Sequence, residues 1–592
     1  MKEPYVLTAR PCRFCGIYGA GDPQIPAELY SGQSEAPDLS GFPLPLPSKK
    51  SDYTCSAVTD DGVMWYGAST GLTRYDPAAD RGDDLIMYFS ADRDLPDNNV
   101  RALLAKDGGL WALTETGAAF IEMKMIGAEE KALMLLEETL KYVDRHGMVS
   151  QKHLEIPGDV ASAVKYGHSD NDGGFTAEFC IGEMYRYAVY KREKGTDHPD
   201  TLAAKKVAAR ALEACLLLFH ISGRGDGFLA RSYLCPGEPV PDDGLFFRKE
   251  GGKATCIETR QSKRVGIAGK VIDASAPVPD RLAKLYRDAG YSDDGIVYKG
   301  DTSSDETTLH IMNMIVSHDI IGEDDPELDE LIKISLRGLM NHILDHGYEL
   351  HDCTGKPTTW AKWSGQYFVS EVGYVDACLN AAEILMYLKA AMHITGEQGR
   401  WREEYDKLIA MGYADLTEKH FDRQHQAGLS LCVEPVEDIM FGDHALATKA
   451  YFGLCMLEKD EGLLKKYRNG YKSWRTTIRR EYNPGYDLPF KLACPDEEID
   501  MEMMATWLYR TNVSRLASGV SFMGRHDTPV QKQRAGKLES SWMPPSDERF
   551  ISKYDRDPVE YRNVDSGGMT CVESCYVYTH AYWMGRYYGF FN

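Results

Sequence analysis

Two acidic loops that open directly into helices carry the residues best suited to chemistry. The segment GIVYKGDTSSDETTLHIMNMI, from Gly295 to Ile315, passes from a strand-like aromatic run through Asp301, Asp305 and Glu306 into an apolar helix. A second segment, HSDNDGGFTAEF from His168 to Phe179, repeats the arrangement with Asp170 and Asp172. Carboxylates are electrostatically favoured at helix N-termini, and loops held by rigid elements are where catalytic groups gather. Two such junctions suggest carboxylates on facing walls of a cleft. Glycosidic bond cleavage needs such a pair, one carboxyl protonated to assist the leaving oxygen and one ionised to activate water or attack carbon.

Several of these residues also have a structural reading. Ser303 followed three residues later by Glu306 is a capping-box pattern, and Asp305 can serve the helix dipole. Asp172, just before Gly173 and Gly174, fits an N-cap or Asx turn. Asp301 precedes the cap and has no such duty, so it is the first choice for an acid or base, while Asp170 and His168 are freer to face substrate. The Asp-Asn-Asp run resembles part of a calcium loop but lacks the Glu at its twelfth position. Cys12 and Cys15 have metal-ligand spacing with no second pair at a ribbon-like distance. No metal and no cofactor are expected.

A third element, GKPTTWAKWSGQYF from Gly355 to Phe368, sets Trp360, Trp363 and Tyr367 in a polar loop, where rings suit stacking on sugars. His351 and Asp352 stand just upstream, and Arg231 and Tyr233 fall in a turn-rich stretch at 224–300. Trp360, Trp363, Tyr367, Arg231, Tyr233, His351 and Glu306 are the substrate-binding candidates. Glu573 and His580 belong to a C-terminal aromatic run read as a last core helix.

The elements that must position these residues follow from composition along the chain. The 592 residues carry a formal charge of -23, which argues against nucleic acid or an anionic membrane as partner and leaves a neutral oligosaccharide as the easier substrate. No apolar run of membrane-spanning length and no leader pattern appear, and the 14 cysteines are scattered, so a cytoplasmic protein is expected. Residues 1–45, rich in Pro and Gly, read as irregular. Between 46 and 123 a repeat aligns DGVMWYGASTGLTRYDP, from Asp61, with DGGLWALTETGAAFIE, from Asp107, each copy preceded by Leu-Pro and a short strand. From 124 to 592 the pattern is helical, with candidate helices from 127–146 to 570–587 and a β-hairpin insertion near 224–300.

The two copies resemble the repeat of the two-component-regulator type β-propeller: Leu-Pro, a strand, Asp-Gly-x-Leu-Trp, then Gly-Leu. Two copies cannot close a propeller of at least four blades, so the module is expected to pack on the helical part or on a partner subunit, a route to a homo-oligomer. The helix census is similar to that of the toroidal carbohydrate-active enzymes, both glycoside hydrolases and polysaccharide lyases. That resemblance implies a mainly α fold, an (α/α)6 toroid with a small N-terminal β module and the hairpin insertion. It further implies a glycosidase, inverting, with Asp301 paired to Asp172 or Asp170 across a gap of about 6.5–9.5 Å. The alternatives are a uronate lyase, in which Tyr298, His168, His351 and Arg231 supply the base and the neutralising cation, and a noncatalytic glycan-binding protein.

Overall fold

The structure, a computed structural model, describes residues 3–31, 37–39, 45–91, 93–166, 170–419, 441–516, 525–527, 545–548 and 569–592. His168 lies outside them. The mainly α expectation is corrected: 46% of the chain is helical and 18% is strand, in several antiparallel sheets, so the class is mixed α/β and the (α/α)6 toroid with a small β module does not describe it. The N-terminal β region is also larger than a small module, because residues 1–45 are not all irregular. Strand β1 (Arg10–Gly19) pairs antiparallel along its whole length with β8 (Gly117–Ile126). Pro11 is tolerated because β1 is an edge strand.

Two four-stranded sheets make up this region. The first has the order β2 (Tyr53–Val58), β3 (Met64–Ala68), β4 (Gly71–Tyr75) and β5 (Ile86–Phe89); the second runs β1, β8, β7 (Gly109–Leu113), β6 (Ala102–Lys106). The β6–β7 turn is Asp107-Gly108 with φ of 59° and 78°, the left-handed pair that matches strand twist. Trp65 and Trp111 both lie on the strand after an Asp-Gly turn. Trp65 is buried with Leu110 and Ile121 between the sheets, whereas Trp111 points to the far face of the second sheet, covered by Ile25 and Leu29.

A buried ionic network ties this region to the helices. Arg13 pairs with Asp94 at 3.0 Å and with Asp547; Arg510 pairs with Asp547 at 2.9 Å and Glu548 at 3.4 Å; Arg525 reaches Glu548 at 3.0 Å. Cys12 and Cys15 do not converge on a common ion. Three residues apart on a strand, they point to opposite faces, Cys12 toward the Tyr509 carbonyl and Cys15 toward Asp94.

Twelve described helices have ten or more residues: α1 (Ala128–Tyr142), α2 (Asp172–Lys194), α3 (Pro199–Leu217), α4 (Ser304–Ile321), α5 (Pro326–Asp345), α6 (Ala377–Thr395), α7 (Gly399–Ala410), α8 (Phe441–Leu457), α9 (Glu461–Ile478), α10 (Pro484–Ala493), α11 (Met501–Arg510) and α12 (Tyr576–Tyr587). The even-numbered helices pack in succession, α2 on α4, α4 on α6, α6 on α8, α8 on α10, α10 on α12 and α12 on α2. Of the odd-numbered helices, α3 packs on α2 and α9 on α8. Helices α4 and α6 are buried nearly all round, as their continuous apolar sequences require. Starts are marked by side-chain caps, Asp325 to the Leu328 amide and Asp460 to the Leu463 amide, and by Pro at the first turn of α3, α5 and α10.

After the short antiparallel pair β9 (Gln151–Leu154) and β10 (Ala163–Tyr166), the stretch at 224–300 forms a five-stranded antiparallel sheet in the order β11 (Tyr233–Leu234), β15 (Val297–Lys299), β12 (Phe246–Glu250), β13 (Lys253–Cys256), β14 (Val271–Asp273). Farther along, β16 (Glu349–His351) and β17 (Pro357–Lys362) form a hairpin against α4. Deep between the helices, Glu178 of α2 accepts from His580 of α12 at 2.6 Å and pairs with Lys449 of α8 at 3.0 Å, all three buried. His580 is thus a core residue, and Glu573 is buried in a short strand whose amide bonds the Arg515 carbonyl.

Burial works to raise the Glu178 carboxyl, but Lys449 and His580 outweigh it and hold it at about 2, below its ordinary 4.5. The stabilisation is therefore full above pH 4.5 and lost as pH falls toward 2. Lys449→Met should leave the buried carboxylate with the His580 hydrogen bond but no paired cation and cost about 3–5 kcal/mol, read as a lower apparent urea midpoint at pH 7; an unchanged midpoint would show that the trio contributes nothing.

Candidate active site

The site forms where the five-stranded sheet meets the first turns of α2 and α4. Register pairs Tyr233 with Tyr298, and the Lys299 amide bonds the Ser232 carbonyl at 3.0 Å, which sets Arg231 beside Lys299. The Gly173 amide donates to the Arg231 carbonyl at 2.9 Å, fastening the start of α2 to the same place. Both cations are almost wholly buried.

Asp170 and Asp301 converge on Lys299. Asp170 Oδ1 pairs with its Nζ and lies 3.3 Å from Arg231 Nη1, and Asp301 Oδ1 stands 4.0 Å from the same Nζ. The two loops therefore do share one site. Their spacing is a correction: Oδ1 of each lies within 4.0 Å of one ammonium nitrogen, so these two oxygens are nearer than the roughly 6.5–9.5 Å of an inverting pair. Asp172 is corrected as well. It is buried, paired with Arg145 at 2.7 Å and bonded by Ser232 Oγ at 2.5 Å, and burial pushes it up to about 6 in spite of both partners. Its carboxyl belongs to the fastening of α2 rather than to a cleft wall.

The capping box at Ser303 and Glu306 does not form. Ser303 occupies the N-cap position of α4 without a side-chain cap bond, and its Oγ accepts from Arg231 Nη2 at 2.5 Å. Glu306 is fully buried, neither carboxyl oxygen has a hydrogen-bond partner, and His310 Nε2 of the next turn is 3.4 Å away. This carboxyl lies against the first turn of α2, where a Cβ on Gly173 would come within 2.6 Å of Glu306 Oε2. Gly-Gly is needed there for close approach. Burial alone would lower the Arg231 guanidinium, but Asp301, Glu306, Asp305 and Asp170, in that order, more than offset it.

A second acidic group lies on the α6 side. Glu383, in the middle of an apolar helix, accepts from Trp363 Nε1 and from Thr308 Oγ1, each at 2.9 Å, and Thr308 also bonds the Tyr387 hydroxyl at 2.6 Å. Burial pushes the Glu383 carboxyl up to about 8 against those two hydrogen bonds, with Asp305 and Asp376 pushing the same way. Asp305, half-buried on α4, feels both Arg231 and Glu383 and so links the two halves. Lys299, His310, Asp376 and Glu383 were not singled out from sequence. A lone Glu among the mostly apolar run CLNAAEILMYL, from Cys378 to Leu388, was the signal available for Glu383.

The aromatic candidates divide. Trp360 is 48% exposed on β17, whereas Trp363 is fully buried and spends its N–H on Glu383, so it is no stacking platform. Tyr367 donates to Asp376 at 2.6 Å. Tyr233 is buried with its hydroxyl on the His146 carbonyl, and Tyr298 is buried beside Phe247 and Cys353, with burial raising its hydroxyl far above the ordinary 10.0. His351 clusters with His342 and His346, its ring 4.1 Å from that of His346, instead of joining the carboxylates. No protein-family model matches the chain, and no curated protein is similar to it.

Since Ser303 Oγ serves Arg231 and not the helix amides, Ser303→Ala should cost about 1–3 kcal/mol for the lost acceptor. The same substitution on an Arg231→Met background should cost almost nothing further. A double-mutant cycle by urea unfolding reads this, and additive costs would restore a capping role.

Proposed function

We propose that the chain is a glycoside hydrolase acting on a neutral oligosaccharide. The observation that carries this reading is the gathering of Asp170, Asp301, Asp305 and Glu306 about Arg231 and Lys299 among the described residues, with Glu383 pushed up to about 8 nearby. Carboxyl groups whose surroundings separate their proton affinities divide into an acid and a base. Glu383, neutral at pH 7, carries the proton for the leaving oxygen. Asp301, with a side chain 35% exposed and 4.0 Å from the Lys299 ammonium, is the partner that activates water, and Asp305 couples the two. Trp360 offers a ring face for a sugar at the rim.

Two features weigh against the lyase alternative. Among the described residues, Asp170, Asp301, Asp305 and Glu306 face Arg231 and Lys299, an excess of formal negative charge that disfavours a uronate. Tyr298 is buried and hard to ionise and His351 is engaged elsewhere, so neither of these two candidate bases joins the carboxylates, while His168 lies outside the described residues. Among the described residues no helix is long and apolar enough to cross a membrane, and every described cysteine is a free thiol. Together with the charge these favour work in a reducing compartment such as the cytoplasm.

The test is turnover on a panel of p-nitrophenyl glycosides and short neutral oligosaccharides. Asp301→Asn should lower kcat by roughly 10²–10⁴-fold with little change in melting temperature. Activity should decline as pH rises through about 8, where Glu383 loses its proton. Asp305→Asn removes a neighbouring negative charge, lowers the Glu383 pKa and should move that decline to lower pH. Full turnover by Asp301→Asn, or a product absorbing as an unsaturated uronate, would overturn the reading, and saccharide binding without turnover would mark a glycan-binding protein.

A further inference from the structure

On the far side of α4 from the acidic loops, His318 and Asp319 near its C-terminal end face His393 near the C-terminal end of α6. One ligand atom from each lies within 4.8 Å of the other two. The two imidazole rings stand 5.6 Å apart and perpendicular, and His393 Nε2 shares a proton with Asp319 Oδ1 at 2.7 Å. His318 turns Nδ1 to Asp329 of α5, and Asp329 is itself paired with Lys333. That outer carboxylate engages Nδ1 and leaves Nε2 as the ring nitrogen available to an ion. Histidines that bind metal ions are held in this way, through the nitrogen not used for the ion.

We propose that His318, Asp319 and His393 form a binding site for a divalent first-row transition ion, zinc being the best fit. Two imidazole nitrogens and one carboxylate oxygen are the usual zinc donors, and water completes the tetrahedron. The ion takes the place of the proton now shared by His393 and Asp319, and that proton leaves to solvent. Bonds of about 2.0–2.1 Å set tetrahedral ligand atoms roughly 3.3 Å apart, so side-chain rotations close the site without moving a helix. Asp319 and His393 are part-exposed, which gives the ion a path in. The bound ion joins α4 to α6, the helices whose other parts carry Asp305 and Glu383.

A second group, His146, Cys235 and Glu238, also lies within coordinating distance. It fits an ion less well. Glu238 Oε2 already accepts from the Cys235 amide at 2.6 Å and faces the Arg145 guanidinium at 3.3 Å, whose charge opposes a cation.

The experiment uses the full chain stripped with chelator, titrated with zinc chloride against a chromogenic competitor, and in parallel with cobalt chloride. The expected result is one tight equivalent of zinc, a cobalt spectrum with the strong visible bands of tetrahedral coordination, and a higher melting temperature with metal. His393→Gln should weaken binding at least 100-fold, and Asp329→Asn, which leaves all three ligands in place, by about 10–100-fold. Absence of a tight equivalent in the parent, affinity unchanged in His393→Gln, or affinity lost only in Cys235→Ser would each overturn the proposal.

Discussion

The Arg231 guanidinium is the interaction on which the site depends. It is buried among Asp170, Asp301, Asp305 and Glu306, and without a cation there the carboxylates would repel one another in a region with little water. Its backbone carbonyl holds the first turn of α2 and its side chain holds Ser303 at the start of α4. One residue thereby sets both the charge and the geometry. The insertion that supplies it is a component of the acidic site, because the sheet also delivers Lys299 from β15.

A similar economy joins the β region to the helices. Arg13, Arg510 and Arg525 each meet at least one buried carboxylate of the short segments around Asp547 and Asp527, and Arg13 also lies 4.0 Å over the Phe89 ring. Buried ion pairs of this kind add little net stability relative to apolar packing, yet breaking one partner is costly. They fix orientation, and the second sheet cannot slide on the helices without stranding a charge.

Part of this was legible in sequence. The two acidic junctions, Arg231 and the paired Trp strands stand out because local composition marks loop ends and turns. The failures share a cause, which is that a distant partner replaced the local one. Ser303 and Glu306 satisfy a capping pattern, but Arg231, far upstream, takes the Ser303 hydroxyl. Trp363 looks like an exposed ring in a polar loop, but Glu383 of α6 accepts its N–H. The N-terminal Pro and Gly residues suggest irregular chain, but β8 supplies a full row of pairing partners, and an edge position excuses Pro11. Lys299 was hidden for a simpler reason, since a single Lys in a short strand reads as a solvated charge until the facing carboxylates are known.

The pairing of β1 with β8 has a kinetic side. During synthesis β1 emerges first, yet its strand partner spans Gly117–Ile126, and the first sheet lies between them in the chain. The loop-closure entropy of that long-range contact must be met before its hydrogen bonds form. Until then β1 is an unpaired edge carrying Ile17, Tyr18 and two thiols. The nascent chain therefore exposes a strand template for the whole time the ribosome takes to make the two sheets, and this interval is where chaperone engagement or strand exchange between neighbouring chains would have its opening.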